Sequence, residues 1–188
     1  FKNVDILINN AAIQGPIGFF HKNNFLQWEK TIMVNLINTA FLIKNLIPIL
    51  KKNKKSLVIN ISGGGSANSR KYFSSYSVAK TGLVRLTENL ANEYKLEKIN
   101  FFAIAPGILN TRMFKKSNIV EQNLNKSKKK VIFSDMERTF QLINFLSNKN
   151  LNISGKLISA IWDKWKNKNF IKSFILHENK LTLRRQIK

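Results

Sequence analysis

Cysteine is absent from the 188 residues, and histidine occurs only as His21 and His177. Disulfides are therefore excluded, and no zinc site of the usual Cys/His kind is expected. Acidic residues are scarce, 10 against 32 Lys and Arg, which leaves a formal net charge of +22. A charge-free apolar run of membrane-spanning length is also missing. The most apolar stretch, TIMVNLINTAFLIKNLIPIL, contains three Asn and one Lys, so a buried helix is expected there and not a membrane span. The opening residues from Phe1 lack a basic, apolar and small-residue signal layout and read as the interior of a longer chain. No internal repeat is visible. Cysteine-free composition agrees with a cytoplasmic location.

What is present is an ordinary globular balance, 44% hydrophobic and 22% charged, which excludes a disordered polyelectrolyte. The positive charge comes mostly from lysines spread along the chain. Its densest runs, KKNKK at 51–55 and KSKKK at 126–130, lie between apolar segments where solvated loops are expected. Nucleic-acid binding is the sharper reading of the charge. An AT-rich coding bias, visible also in Asn, Ile and Phe, is the plainer one.

Strand and helix signals alternate. VDILIN (4–9), SLVINIS (56–62), NFFAIA (100–105) and GKLISAI (155–161) are short apolar runs suited to strands buried on both faces. A helix is predicted from Asn24 to Leu50, opened by Asn24 and Gln27 at capping-box spacing. A second is predicted over Ser74–Glu93. Pro106-Gly107 ends the third strand, and a polar, Lys-rich connection to about Lys130 follows. Ser134 and Glu137 are spaced to cap a further helix containing FQLINFLS. This order predicts one α/β domain over 1–188 with a parallel sheet covered on both faces. The tail after Trp165 has no assignable pattern.

The chemistry concentrates in NISGGGSANSRKYFSSYSVAK (60–80). Gly63-Gly64-Gly65 follows a strand, but neither G-x-G-x-x-G nor G-K-[ST] is completed, so a flexible turn is expected and not a phosphate cradle. Tyr76 and Lys80 are spaced i, i+4 and share one face of a helix. A free phenol, with a pKa of about 10, is a poor proton donor or acceptor at neutral pH, and a nearby ammonium lowers that value. Ser62 ends the preceding strand, and ligands of open α/β sheets bind beyond the carboxyl ends of the strands.

In this order the motifs resemble the short-chain dehydrogenase/reductase family over nearly the whole chain. NNAA (9–12) is similar to the family's N-N-A-G, Asn35 falls at its helix asparagine, and NIS (60–62) matches its serine segment. YSVAK (76–80) matches Y-x-[AS]-[SA]-K, with Val78 at the third position. PGILNT (106–111) matches P-G-x-x-x-T. The resemblance implies a Rossmann-like doubly wound parallel sheet and hydride transfer between NAD or NADP and a small-molecule carbonyl or alcohol. Tyr76 is then the acid/base. Lys80 lowers its pKa and binds the nicotinamide ribose, Ser62 holds the substrate oxygen, and Asn35 holds a water linking Lys80 to solvent. Asn10, Ala11, Ala12, Pro106, Gly107, Ile108 and Thr111, together with Tyr76 and Lys80, are the implied cofactor contacts. No metal, membrane or nucleic acid is implied, and the full-length form is expected to be a homo-oligomer.

Three departures bear on these expectations. The family's Gly-rich T-G-x-x-x-G-x-G turn belongs before N-N-A-G, so the chain is expected to be the C-terminal two-thirds of such a domain, lacking the first strands and binding dinucleotide poorly by itself. The family's serine often lies thirteen residues before its tyrosine, a position taken here by Gly63, with Ser62 and Ser66 on either side. Ala12 replaces a glycine, a mild change where φ is negative. Basic residues after Thr111 (Arg112, Lys115, Lys116, Lys126 and Lys128–Lys130) suit an anionic substrate or merely follow the overall composition. A non-catalytic scaffold with the same fold is the main rival reading.

Overall fold

The computed structural model describes residues 2–126, 130–148, 151, 153–167, 169–170, 172–173 and 180–183. Lys128, Lys129 and His177 lie outside them, as does much of the tail after Trp165. Four strands, β1 (Ile6–Asn9), β2 (Ser56–Ile61), β3 (Ile99–Ala105) and β4 (Lys156–Ser159), form one parallel sheet in the order β1-β2-β3-β4. Register runs Asn9 to Asn60, Asn60 to Ala103 and Ala103 to Leu157. All the carboxyl ends therefore lie along one edge, which is where the motif residues fall.

Alternation along the strands builds two cores. Leu57, Ile59, Phe102, Ile104 and Ile158 face α5 (Met136–Asn148), which contributes Leu142 and Leu146. Val58, Ile99 and Phe101 face the other way, against Ile43, Ile47 and Leu50 of α2 (Asn38–Leu50) and Ala91 of α3 (Ser74–Glu93). The middle of the sheet is thus covered on both faces, as continuous apolar strands require. β1 differs. Leu7 packs on the α2 side, while Ile6 and Ile8 stay 43% and 44% exposed on the α5 side.

The helix predicted over 24–50 is α1 (Phe25–Ile32), a π-helical turn at Met33–Ile37, and α2. Asn24 caps it by accepting from the Gln27 N–H at 3.0 Å. Its full length, Phe25–Leu50, is long and apolar enough to cross a membrane by length and composition alone. It is not buried all round, as the sequence suggested. Thr31, Asn35, Thr39, Ile43, Ile47 and Leu50 form the inner stripe, whereas Met33, Ile37 and Phe41 stay exposed, Phe41 at 67%.

Two further expectations change. The Lys-rich connection contains a helix, α4 (Arg112–Asn125), capped by Thr111, whose Oγ1 accepts from the Phe114 N–H at 3.1 Å. At α5, Asp135 and not Ser134 receives the Glu137 N–H, at 2.9 Å. The Ser134 hydroxyl instead accepts from the Ile108 N–H at 3.1 Å. A side chain that can bond a distant loop need not cap its own helix.

Candidate active site

α3 begins at Ser74, and its buried positions Ser75, Ala79, Lys80, Leu83, Val84, Thr87, Glu88 and Ala91 recur every three to four residues. This stripe lays Tyr76 and Lys80 against the end of β2. The approach is close. A Cβ on Gly63 would stand 2.6 Å from the Tyr76 phenol oxygen, so only glycine admits this position of the ring. The glycine run forms a turn, as expected, closed by the Ser66 N–H donating to Gly63 O at 3.2 Å, and Gly63 is also the surface on which the phenol rests. Ser62 continues the ladder, its N–H donating to Ile104 O at 2.8 Å. Its hydroxyl is buried and has no hydrogen-bond partner among the described residues. An unpartnered buried hydroxyl is costly unless a ligand or an ordered water supplies the partner. Ser66 is also buried, further along the loop, and its carbonyl accepts from the Thr81 hydroxyl at 3.2 Å.

Lys80 is only 2% exposed. Its ammonium donates to Ile61 O at 2.7 Å and stands 5.7 Å from the centre of the Tyr76 ring. Burial lowers its pKa to about 8, because the charged form is poorly solvated there. Burial also raises the Tyr76 phenol above its ordinary value, and the charge acting against that rise is the guanidinium of Arg70, not the ammonium of Lys80. Arg70, which stands in the loop before α3, belongs to no motif and was not expected at the site.

Asn35 lies in the π turn, fully buried. Its Oδ1 accepts from the Ile13 N–H and its Nδ2 donates to Ile13 O, both at 2.8 Å. Both ends of the side-chain amide are thereby bonded to the segment after NNAA, with one Nδ2 hydrogen and one Oδ1 lone pair to spare. Gly82 lets α3 approach this turn, since a Cβ there would stand 2.9 Å from the Leu36 side chain. Asn9 donates to Asn60 at 2.8 Å, and Asn60 donates to the Thr87 hydroxyl at 2.9 Å. A buried polar chain thus ties β1, β2 and α3 together directly below the site. Asn10, Ala11 and Ala12 leave the ladder at the carboxyl end of β1, and Ala12 is not among the residues with positive φ.

Pro106, Gly107, Ile108 and Thr111 follow β3 on the same edge of the sheet. Ile108 holds Ser134 with both backbone groups, its C=O accepting from the Ser134 N–H at 2.7 Å. Those groups are engaged in this arrangement. The Thr111 hydroxyl accepts at the helix cap, and its proton has no acceptor among the described residues. The edge therefore gathers Ser62, Tyr76 and Lys80 at one strand end, backbone fixed by Asn35 at the next, and the β3 loop beside them.

The sequence profile of the short chain dehydrogenase family matches residues 1–122. A short chain dehydrogenase of Monascus purpureus is 28% identical over 163 residues, covering 87% of this chain and 54% of the relative. The 3-oxoacyl-[acyl-carrier-protein] reductase of Aquifex aeolicus is 28% identical over 160 residues, 82% of this chain and 63% of the relative. A solved short chain dehydrogenase structure from Escherichia coli CFT073, in complex with NADPH, aligns with a TM-score of 0.71 at 18% identity, over 86% of this chain and 64% of that one. The chain thus spans between half and two thirds of the length of these relatives. With its parallel sheet and the profile match over most of its length, the chain belongs to the short chain dehydrogenase family.

Proposed function

We propose that this chain is the catalytic and substrate-facing part of an NAD(P)-dependent oxidoreductase acting on a small carbonyl or alcohol, with residues 1–188 folding as one unit in the cytoplasm. One observation carries the reading. The Tyr76 phenol lies on Gly63, next in sequence to a buried Ser62 hydroxyl that has no partner among the described residues. Two hydroxyl groups at one strand end suit the oxygen of a carbonyl, which accepts two hydrogen bonds. In reduction the Tyr76 Oη–H bond breaks, and its proton passes to the developing alkoxide. In oxidation the same oxygen takes the proton back. The raised pKa keeps Tyr76 protonated at neutral pH, the form that donates. Lys80, at about 8, exchanges protons close to neutrality and suits a relay behind the phenol.

Asn10, Ala11 and Ala12 with Lys80 would hold the nicotinamide end, and Thr111 a phosphate. The Thr111 hydroxyl, which donates to no partner among the described residues, fits such a ligand, while Ile108 would have to exchange Ser134 for it. When bound, the cofactor supplies or accepts the hydride, and the protein contributes position and electrostatics. The chain contains no completed Gly-rich dinucleotide turn. Titration with NADH and NADPH, followed through fluorescence of the three Trp, is therefore expected to show weak, unsaturated binding to the 188 residues alone. Tight saturable binding would contradict the division of labour proposed here. The exposed apolar side of α1 and α2, with Met33, Ile37 and Phe41, supports a second copy as partner. A monomer in sedimentation of the full-length protein would remove that part.

A further inference from the structure

α4 is lightly held. Of its 14 residues only Ser117 is buried, and the Ser117 hydroxyl donates back to Phe114 O within the same helix. Its first turn has an edge contact between Phe114 and Phe133, with ring centres 5.5 Å apart. Among the described residues, one side-chain ion pair joins the helix to the rest of the fold: Arg70 Nη2 to Glu121 Oε2 at 2.6 Å. Few buried apolar contacts mark an element that opens locally at low cost. A single charge-assisted bond therefore weighs more in α4 than it would in a well-packed helix.

The other end of this pair is well fixed. The Arg70 guanidinium lies 3.6 Å from the centre of the Phe73 ring, and Phe73 is fully buried. Arg70 Nη1 also stands 3.8 Å from where a Cβ on Gly64 would be, so the guanidinium flanks the glycine run. Cation–π stacking below and a carboxylate at its edge leave the guanidinium little freedom. Arg70 lies six residues before Tyr76, in the loop that leads into α3, and its charge acts on the phenol.

We propose that Arg70 and Glu121 form a clasp that docks α4 onto the loop leading into Tyr76. Arg70 and Glu121 are positioning residues: with α4 docked, Arg70 is held between Phe73 and Glu121 in one place relative to the phenol. When Glu121 lets go, α4 loses its only polar tie among the described residues and Arg70 loses its outer partner. The clasp stands on the geometry alone, whereas its effect on turnover rests on the oxidoreductase reading above.

Glu121→Gln and the charge swap Arg70→Glu with Glu121→Arg separate the possibilities. Amide hydrogen exchange of residues 112–125 reports the clasp without reference to activity. Glu121→Gln is expected to speed exchange there about 2- to 5-fold while α3 is unchanged, the size suited to a half-screened ion pair. The charge swap is expected to bring α4 back to within about twofold of the original protein. Unchanged exchange in α4, or an equal rise in α3 and α4, overturns the clasp. In the full-length protein, Glu121→Gln is expected to raise KM for the carbonyl more than it lowers kcat, and the swap to restore it. Absence of turnover in the unsubstituted full-length protein on every carbonyl offered would count against the oxidoreductase reading, and the exchange result would still decide the clasp.

Discussion

Tyr76→Phe is expected to reduce turnover of the full-length protein by roughly 10²- to 10⁴-fold, the usual contribution of a positioned general acid or base. The substitution removes one oxygen and keeps the ring, which rests on Gly63. The fold has no reason to change, because the phenol oxygen is not among the hydrogen bonds that hold α3 in place. The loss should therefore fall on kcat, with KM moved much less, as for an interaction made mainly in the transition state. A Tyr76→Phe protein with unaltered kcat would remove Tyr76 as the acid/base and favour the scaffold reading.

Lys80→Met is expected to lower turnover as well, and it carries a second signature that does not depend on activity. Lys80 titrates near 8 in the folded chain against an ordinary 10.5. The folded state therefore binds fewer protons than the unfolded state between those values, and stability contributed through this group rises with pH. The sign follows from burial. Below about pH 8 the ammonium is charged in both states and its poor solvation destabilises the fold, and towards pH 10 the neutral amine relieves that cost. The stability of the original protein relative to Lys80→Met should thus increase by about 2 kcal/mol between pH 7 and pH 10. Chemical denaturation of the two proteins at both pH values measures it. A difference independent of pH would mean that Lys80 is not held in the poorly solvated position described.

The parts of this fold that were legible in the sequence are those with a short-range cause. α3 is legible over its full length because Leu83 and its neighbours recur at helical spacing and face a sheet. β3 was read because a strand buried on both faces must be almost wholly apolar. α4 escaped because a helix that buries only Ser117 has no apolar stripe to show. The outer face of α1 and α2 was misread as buried because composition does not say which side of an apolar helix is covered. Ser134 was assigned to its own helix because the competing N–H, on Ile108, lies 26 residues away in sequence. At the site, Tyr76 and Lys80 announce themselves by spacing, and Ser62 by its place at a strand end. Arg70 and Glu121 are 51 positions apart and belong to no motif, so only the fold brings them together. Gly63 was legible as a departure from the family pattern. Its reason, contact with the phenol, is a fact of three dimensions.

The proposed reaction is a hydride transfer completed by a proton from Tyr76. Supplying the full-length protein with reduced nicotinamide cofactor carrying two deuteriums at C4, so that either face delivers the label, together with a panel of small ketones and aldehydes, tests this. An alcohol carrying one deuterium on the carbinol carbon, detected by mass spectrometry, is expected, with a strongly reduced yield from the Tyr76→Phe protein. An alcohol without the label, or equal labelled yield from the Tyr76→Phe protein, would contradict it.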